Sequence, residues 1–482
     1  MKKILISTIA VSALFFTVSC ETDFDTDVSS IQVTNGQANF TKFVSIGNSL
    51  TSGYRDGALY IDGQNESFPS MMAQQMALAG GGAFKQPLMA DNLGGIPSVG
   101  LTNKRILTPA LGVAIAPGTG TTTLASIFSS GPYQNMGVPG AKSFHLGLAG
   151  YGSAAGLATG TANPYFVRFA SSATASVIGD AVAQAPTFFS LWIGNNDVLS
   201  YATSGGTGVD QTGNLNPATY GPNDITDPNV VASVINGYVT ALTAGGAKGV
   251  IANIPNVTTI PYFTRVPAKP IPGEPSTVSQ LNAGYAAYNA GLGQAKALGY
   301  LSQAEYDQRF IKFTVGVANG AVIVDKDLTN LAALGIPSYR QTTSKDYILL
   351  TASAVLTPTA GGGTSVPLAD GFVLTEKETA KVLTATAAYN ASIQAIATAK
   401  GLAFVDASAK MAELSKSSGI QFDGVKYTAT FVTGGTFSLD GVHLTGRGYA
   451  LIANEFMRVI NQKYKSTLPM VNVNSYQGVT FP

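Results

Sequence analysis

Only two histidines occur in the 482 residues, His145 and His443, which narrows where an imidazole could act as a base. His443 stands in Ser438-Leu439-Asp440-Gly441-Val442-His443-Leu444-Thr445, just ahead of a predicted helix from about 448 to 463. In a loop-to-helix turn, a carboxylate three residues before the imidazole can reach Nδ1, fix the tautomer and stabilise the imidazolium that forms on proton transfer. His145, in Lys142-Ser143-Phe144-His145-Leu146, has no acid close by in sequence and reads as a surface or hydrogen-bonded structural histidine. A base needs a nucleophile, and Ser49 in Gly47-Asn48-Ser49-Leu50 directly follows the apolar, β-branched run Phe43-Val44-Ser45-Ile46. On a tight strand-to-helix turn, a serine hydroxyl projects from the sheet and nearby amides face a developing oxyanion. Two further segments carry amides suited to that charge: the Gly turn Asn135-Met136-Gly137-Val138-Pro139-Gly140, and Gly194-Asn195-Asn196-Asp197 after an apolar strand. Taken singly, each of these segments reads as an ordinary loop.

The elements that must position these residues alternate in type. Phe43–Ile46 reads as a buried strand, 68–78 as the first long helix with Pro69 at its start, and 187–193 as a second core strand stopped by Gly194. A helix over 230–242 ends at Gly245-Gly246 and is followed by a strand at 249–254. A long helix over 376–400 ends at Gly401 before a strand at 402–406. This alternation predicts an α/β fold of three layers, α/β/α, with a mostly parallel central sheet. Two stretches depart from the plan. Residues 147–163 read as a long Gly- and Ala-rich loop. Residues 262–370, with Pro-rich turns, one helical piece over 281–298 and a hairpin within 347–373, read as an insertion or cap. The tetrapeptide Ala-Tyr-Asn-Ala occurs at 287–290 and again at 388–391, each ahead of an apolar run ending in Asp, a pattern compatible with a decayed duplication.

Composition excludes some functions. With 28 Lys+Arg against 27 Asp+Glu, a formal charge of +1 and no basic run, the chain lacks the clustered positive surface that nucleic acid requires. Its single cysteine, Cys20, rules out an internal disulfide and any cysteine-based metal site. Lys2 and Lys3 precede an apolar run over 4–16, too short to span a bilayer, so residues 1–19 read as an export signal. The segment leading to Cys20 resembles a bacterial lipobox, with Thr17 in place of the usual Leu. Residues 20–38 are then a lipidated N-terminus and an acidic tether, 39–482 form the main domain, and the expected location is the outer membrane with surface exposure.

The four segments together, in this order, resemble the SGNH (GDSL-like) hydrolase family: Gly47-Asn48-Ser49-Leu50, Asn135 to Gly140, Gly194-Asn195-Asn196-Asp197 and Asp440-Gly441-Val442-His443. The likeness extends to the strand and Pro turn at 249–255 and the terminal loop and helix at 440–453, leaving about 262–370 unmatched. It implies an SGNH/flavodoxin-like sheet and hydrolysis of a carboxylic ester through an acyl-enzyme, with no metal or organic cofactor. Ser49 would be the nucleophile, His443 the base and then acid, and Asp440 its orienting partner. The oxyanion hole would comprise the N–H groups of Ser49 and Gly137 with the side-chain amide of Asn196. Asn48 replaces the family's usual Asp, which implies altered local hydrogen bonding. Small-molecule, lipid and acylated-glycan esters all fit, the last as an O-acetyl esterase. A surface binding lipoprotein without turnover is the reading from another class.

Overall fold

The structure, a computed structural model, describes residues 32–482. The export signal, Cys20 and the acidic stretch up to residue 31 lie outside the described residues. Five strands form the central sheet: β1 (Phe43–Gly47), β2 (Asn135–Gly137), β3 (Phe188–Trp192), β4 (Lys248–Ala252) and β5 (Ala403–Val405). They lie in the order β5-β4-β3-β1-β2 and every pair is parallel. All residues of β1 and β3 are buried, as expected of parallel strands covered on both faces.

The helices that matter for the site are α1 (Ser49–Ser52), α2 (Phe68–Leu78), α3 (Asn196–Thr203), α4 (Pro228–Thr243), α5 (Glu376–Ala399), α6 (Ala407–Leu414) and α7 (Gly446–Tyr464). The chain moves from β1 to its neighbour β2 in one direction, and from β3 through β4 to β5 in the other. Right-handed crossovers therefore place α2 on one face and α4 and α5 on the opposite face. On the first face α7 packs on α2, and Phe456 stacks on Phe68 with ring centroids 4.8 Å apart, beside the Trp192 ring at 5.9 Å. The three-layer α/β/α expectation is met.

The reversal of direction between β1 and β3 is a topological switch point, where the loops at the carboxyl ends of the strands diverge and leave a crevice. Ser49 follows the carboxyl end of β1, and Asn196 follows that of β3.

Residues beyond Tyr262 build a second apolar cluster, including Ile271, Phe313, Val322, Ile323, Ile348 and Leu368. Within it the buried Arg340 is gripped by Asp325 (2.6 Å) and by both oxygens of Asp346 (2.8 Å each). Tyr347–Ile348 pairs antiparallel with Val373–Leu374. The helical piece expected over 281–298 is two helices, Pro275–Gly284 and Ala286–Ala297, broken at Tyr285, whose buried ring and hydroxyl bond to Thr364 O (2.5 Å) hold it in the second core. The Gly turn expected over 135–140 begins as the edge strand β2, and only Val138 to Gly140 turn.

Candidate active site

β1 ends on Gly47 because nothing larger fits: a Cβ there would lie 2.2 Å from Thr51 Oγ1 and 2.4 Å from Trp192 O. Asn48 then caps α1, its Oδ1 accepting from Leu50 N (3.1 Å), while its Nδ2 donates to Asn195 Oδ1 (3.3 Å). Asn48 thus ties the start of α1 to the loop after β3. Ser49 is the first residue of α1, so its N–H has no intrahelical acceptor.

The His443 loop closes on itself. Ser438 N donates to His443 O (2.8 Å), and Gly441 adopts a positive φ of 72°. Asp440 Oδ1 accepts from Ser438 Oγ (3.1 Å), Val442 N (2.9 Å) and His443 N (2.8 Å); its Oδ2 accepts from Gly57 N (2.9 Å) and faces His443 Nδ1 at 2.8 Å. Burial alone would raise the Asp440 carboxyl. The His443 charge and hydrogen bond, with the backbone N–H groups, outweigh it and hold the carboxyl well below the usual carboxylate range. With Nδ1–H assigned to Asp440 by this network, Nε2 is left as an acceptor, and it lies 2.8 Å from Ser49 Oγ. The structure thus brings Ser49, His443 and Asp440 into one hydrogen-bonded line across residues nearly 400 apart in sequence. In this arrangement the imidazole can take the Ser49 proton and the carboxylate can stabilise the resulting cation.

Asn196 opens α3, and its Nδ2 donates to Ala141 O (2.9 Å), which ties it to the turn after β2. Asp197 is fully buried and accepts from Ser143 N and Oγ (2.7 Å each); burial raises its carboxyl despite those bonds. Gly137 departs from the expectation. Its N–H lies inside the edge strand and is spent on Asn135 Oδ1 (3.0 Å), so it is not free for a substrate oxygen. Three residues on, Gly140 is exposed at φ 80°, and its N–H makes no hydrogen bond among the described residues.

His145 lies elsewhere, its Nδ1 accepting from Lys142 N (3.1 Å) and its ring stacked 4.9 Å from that of Tyr151. No cluster of three His, Cys, Asp or Glu side chains placed to hold a metal ion occurs among the described residues.

Sequence reasoning missed the segment that braces the loop from the other side. Asp56 Oδ1 accepts from Leu439 N (3.0 Å), and Asp56 N donates to Ser438 Oγ (2.9 Å). Tyr60 OH donates to Asp56 Oδ2 (2.7 Å), and Arg55 Nε donates in turn to Tyr60 OH (2.7 Å). The Tyr54 ring lies 4.7 Å from the His443 ring. Adjacent opposite charges at Arg55 and Asp56, in a chain only 11% charged and just past the Ser49 turn, were the available signal.

No family model matches this chain. No curated protein matches it either. Among solved structures, one of Axe2, described as an acetylxylan esterase from Geobacillus stearothermophilus, aligns at 12% identity over 89% of this chain and 96% of its own, with a TM-score of 0.32. A chain from Parabacteroides merdae ATCC 43184, described as a GDSL-like lipase, aligns at 11% identity over 89% of this chain and 99% of its own, also at 0.32. A TM-score that low does not bear on what this chain does.

Two kinds of cavity flank the site. A small apolar one of about 110 Å³ lies behind it, lined by Leu50, Met411, Val442, Leu444 and Ile452 and by no atom of the Ser49, His443 and Asp440 side chains. An open cleft of about 870 Å³ begins at Leu439 and Asp440 and runs between the Arg105–Leu107/Val113–Ile115 hairpin and the insertion at Tyr262, Arg265 and Leu350. Tyr262 N donates to Gly441 O (2.9 Å), so the insertion wall is attached to the His443 loop itself.

Proposed function

We propose that the chain is a serine ester hydrolase of the SGNH type, acting through an acyl-enzyme at Ser49. The observation that carries this is the continuous line from Ser49 Oγ to His443 Nε2 and from His443 Nδ1 to Asp440, at 2.8 Å each. Ser49 Oγ attacks the ester carbonyl and passes its proton to His443. The carbon–oxygen bond to the alcohol breaks, and the leaving oxygen takes that proton back. Water, activated by the same imidazole, then releases the carboxylic acid and restores Ser49. For the oxyanion, the free N–H groups of Ser49 and Gly140 with the Asn196 amide are the donor set favoured here, in place of the occupied Gly137 N–H.

A reading as a binding protein without turnover has no use for a fully assembled Ser-His-Asp line. Ser49→Ala should lower kcat on p-nitrophenyl acetate by about 10³-fold or more while leaving the thermal midpoint within a few degrees. Equal rates for the two proteins across short acyl, long acyl and acetylated glycan esters would end the esterase reading. Export and lipidation at Cys20 belong to the same proposal and rest on the sequence pattern. A Cys20→Ser form expressed in a Gram-negative host should lose metabolic labelling with a fatty acid, and persistent labelling would refute the anchor.

A further inference from the structure

Resting on the esterase reading above, we infer that the substrate is an O-acylated acidic oligosaccharide, whose carboxylates lie along the cleft that leads away from Asp440.

The cleft continues beyond the cavity already described into a second one of about 1030 Å³, the two sharing Leu111, Val113, Arg265 and Phe431. The charged side chains lining the pair are Arg105, Arg265, Lys416 and Lys426, together with Asp440. Asp440 forms no salt bridge with any of these four, its oxygens accepting instead from five donors of its own loop and Gly57. Among the described residues none of the four cations joins a salt bridge. The single side-chain hydrogen bond any of them makes is from Lys426 Nζ to Ser417 O at 3.4 Å. In a chain with 28 basic and 27 acidic residues, four unpaired cations around one cleft are a marked separation of charge. Same-sign charges on the walls of a cleft focus the field and draw an anion into it.

The spacing selects the kind of anion. The cations are distributed over two connected chambers, so a single phosphate or carboxylate would meet only part of them. A chain with an anionic group on repeated units meets them in turn. The remaining lining mixes hydroxyls, among them Thr258, Thr264 and Ser415, aromatic faces at Tyr262, Tyr347 and Phe431, and aliphatic side chains such as Leu111, Val266, Leu350 and Leu356. Sugar rings present hydroxyls at the edge and apolar C–H faces, which suits that mixture. A long acyl chain would call for a closed apolar channel reaching Ser49. The apolar cavity is small and none of the three catalytic side chains lines it, whereas Asp440 lines the cleft. Two non-glycine residues held in the left-handed region, Leu111 (φ 58°) and Val432 (φ 65°), both line the cleft, and such strain tends to sit where a ligand is gripped.

The test compares release of acetate by the full-length protein from O-acetylated polygalacturonate fragments and from O-acetylated neutral galactan fragments of matched length and acetyl content. The acidic substrate is expected to show kcat/KM at least about tenfold higher, an advantage that shrinks as salt rises from about 0.05 M to about 0.5 M. Arg265→Gln with Lys416→Gln, both at exposed positions, should cut the acidic-to-neutral ratio about tenfold, through KM more than kcat. Equal kcat/KM on the two substrates, no salt dependence, or a double variant with an unaltered ratio would each overturn the inference. So would activity confined to phosphatidylglycerol vesicles. Failure of p-nitrophenyl acetate to be cleaved in a Ser49-dependent way would instead remove the esterase reading beneath it.

Discussion

A histidine taken out of water holds its proton less tightly, and His145 is such a case: burial, helped by the Lys142 ammonium, draws its pKa from 6.5 down to about 4. Between those values the unfolded chain carries the proton and the folded one does not. The unfolded state therefore binds more protons, and stability falls as pH drops from about 6.5 to about 4, by up to about 3 kcal/mol. His145→Gln keeps an acceptor for Lys142 N–H and removes the titration. Its urea midpoint should fall less than that of the parent between pH 7 and pH 4.5; parallel declines would show that His145 contributes nothing to acid lability. The residues of the site divide by how their roles are set. His443 and Asp440 were legible because only two histidines exist and one has an acid at short spacing, whereas Ser49 was legible only through the order of the four segments that resemble the SGNH family. The free N–H of Gly140 was not, because which glycine N–H is free depends on a hydrogen bond, Gly137 N to Asn135 Oδ1, that spacing does not reveal. Asp56 holds Leu439 and Ser438, and Gly57 holds Asp440, from more than 380 positions away, a relation created by folding alone.

Elements are pinned to one another here by asparagine amides that bridge both backbone groups of a single residue. Asn390 on α5 accepts from Ile254 N and donates to Ile254 O, both at 2.8 Å. Asn289 does the same to Ile311 at 3.0 and 2.8 Å, and Asn282 to Phe313 at 2.9 Å for each bond. The repeated tetrapeptides are thus the same clamp used twice. Ile254 precedes its asparagine by 136 residues and Ile311 follows its own by 22, which argues against a duplicated topology. Asn390→Ala leaves a buried N–H and C=O unpaired and should cost about 2–4 kcal/mol. Ile254 also packs against Gly194, where a Cβ would lie 2.7 Å from Ile254 Cδ1, so kcat should fall as the Asn195-Asn196 loop loosens. A denaturant midpoint unchanged from the parent would show that water replaces the amide without loss. Strands β1, β3, β4 and β5 were legible as short apolar runs. Strand β2 was not, since Asn135-Met136-Gly137 has too few residues to show a period and becomes a strand by pairing with Ser45 to Gly47.

The two largest apolar cores among the described residues lie around the parallel sheet and within the segment after Tyr262. The sequence marked that segment as unmatched, but its wall on the cleft depends on contacts between residues far apart, such as Tyr262 N to Gly441 O. Its own integrity rests on Arg340, whose guanidinium fills both oxygens of Asp346, while Asp346 Oδ1 also accepts from Glu376 N (3.2 Å) at the start of α5. Burial would raise the Asp346 carboxyl, and the Arg340 bonds outweigh it and keep it ionised. Asp346→Asn leaves Asp325 as the one carboxylate on the buried guanidinium and should destabilise this core by about 3 kcal/mol. Because the sheet core has its own packing, the loss should be local: amide exchange should quicken over 322–348 while β1 and β3 stay protected. Turnover of polymeric substrate should drop as the cleft wall loosens, yet Ser49 should still be labelled by a fluorophosphonate, since Asp440 keeps its bonds to Gly57 and its own loop. Simultaneous loss of protection in both regions would mean instead that the two cores unfold as one unit.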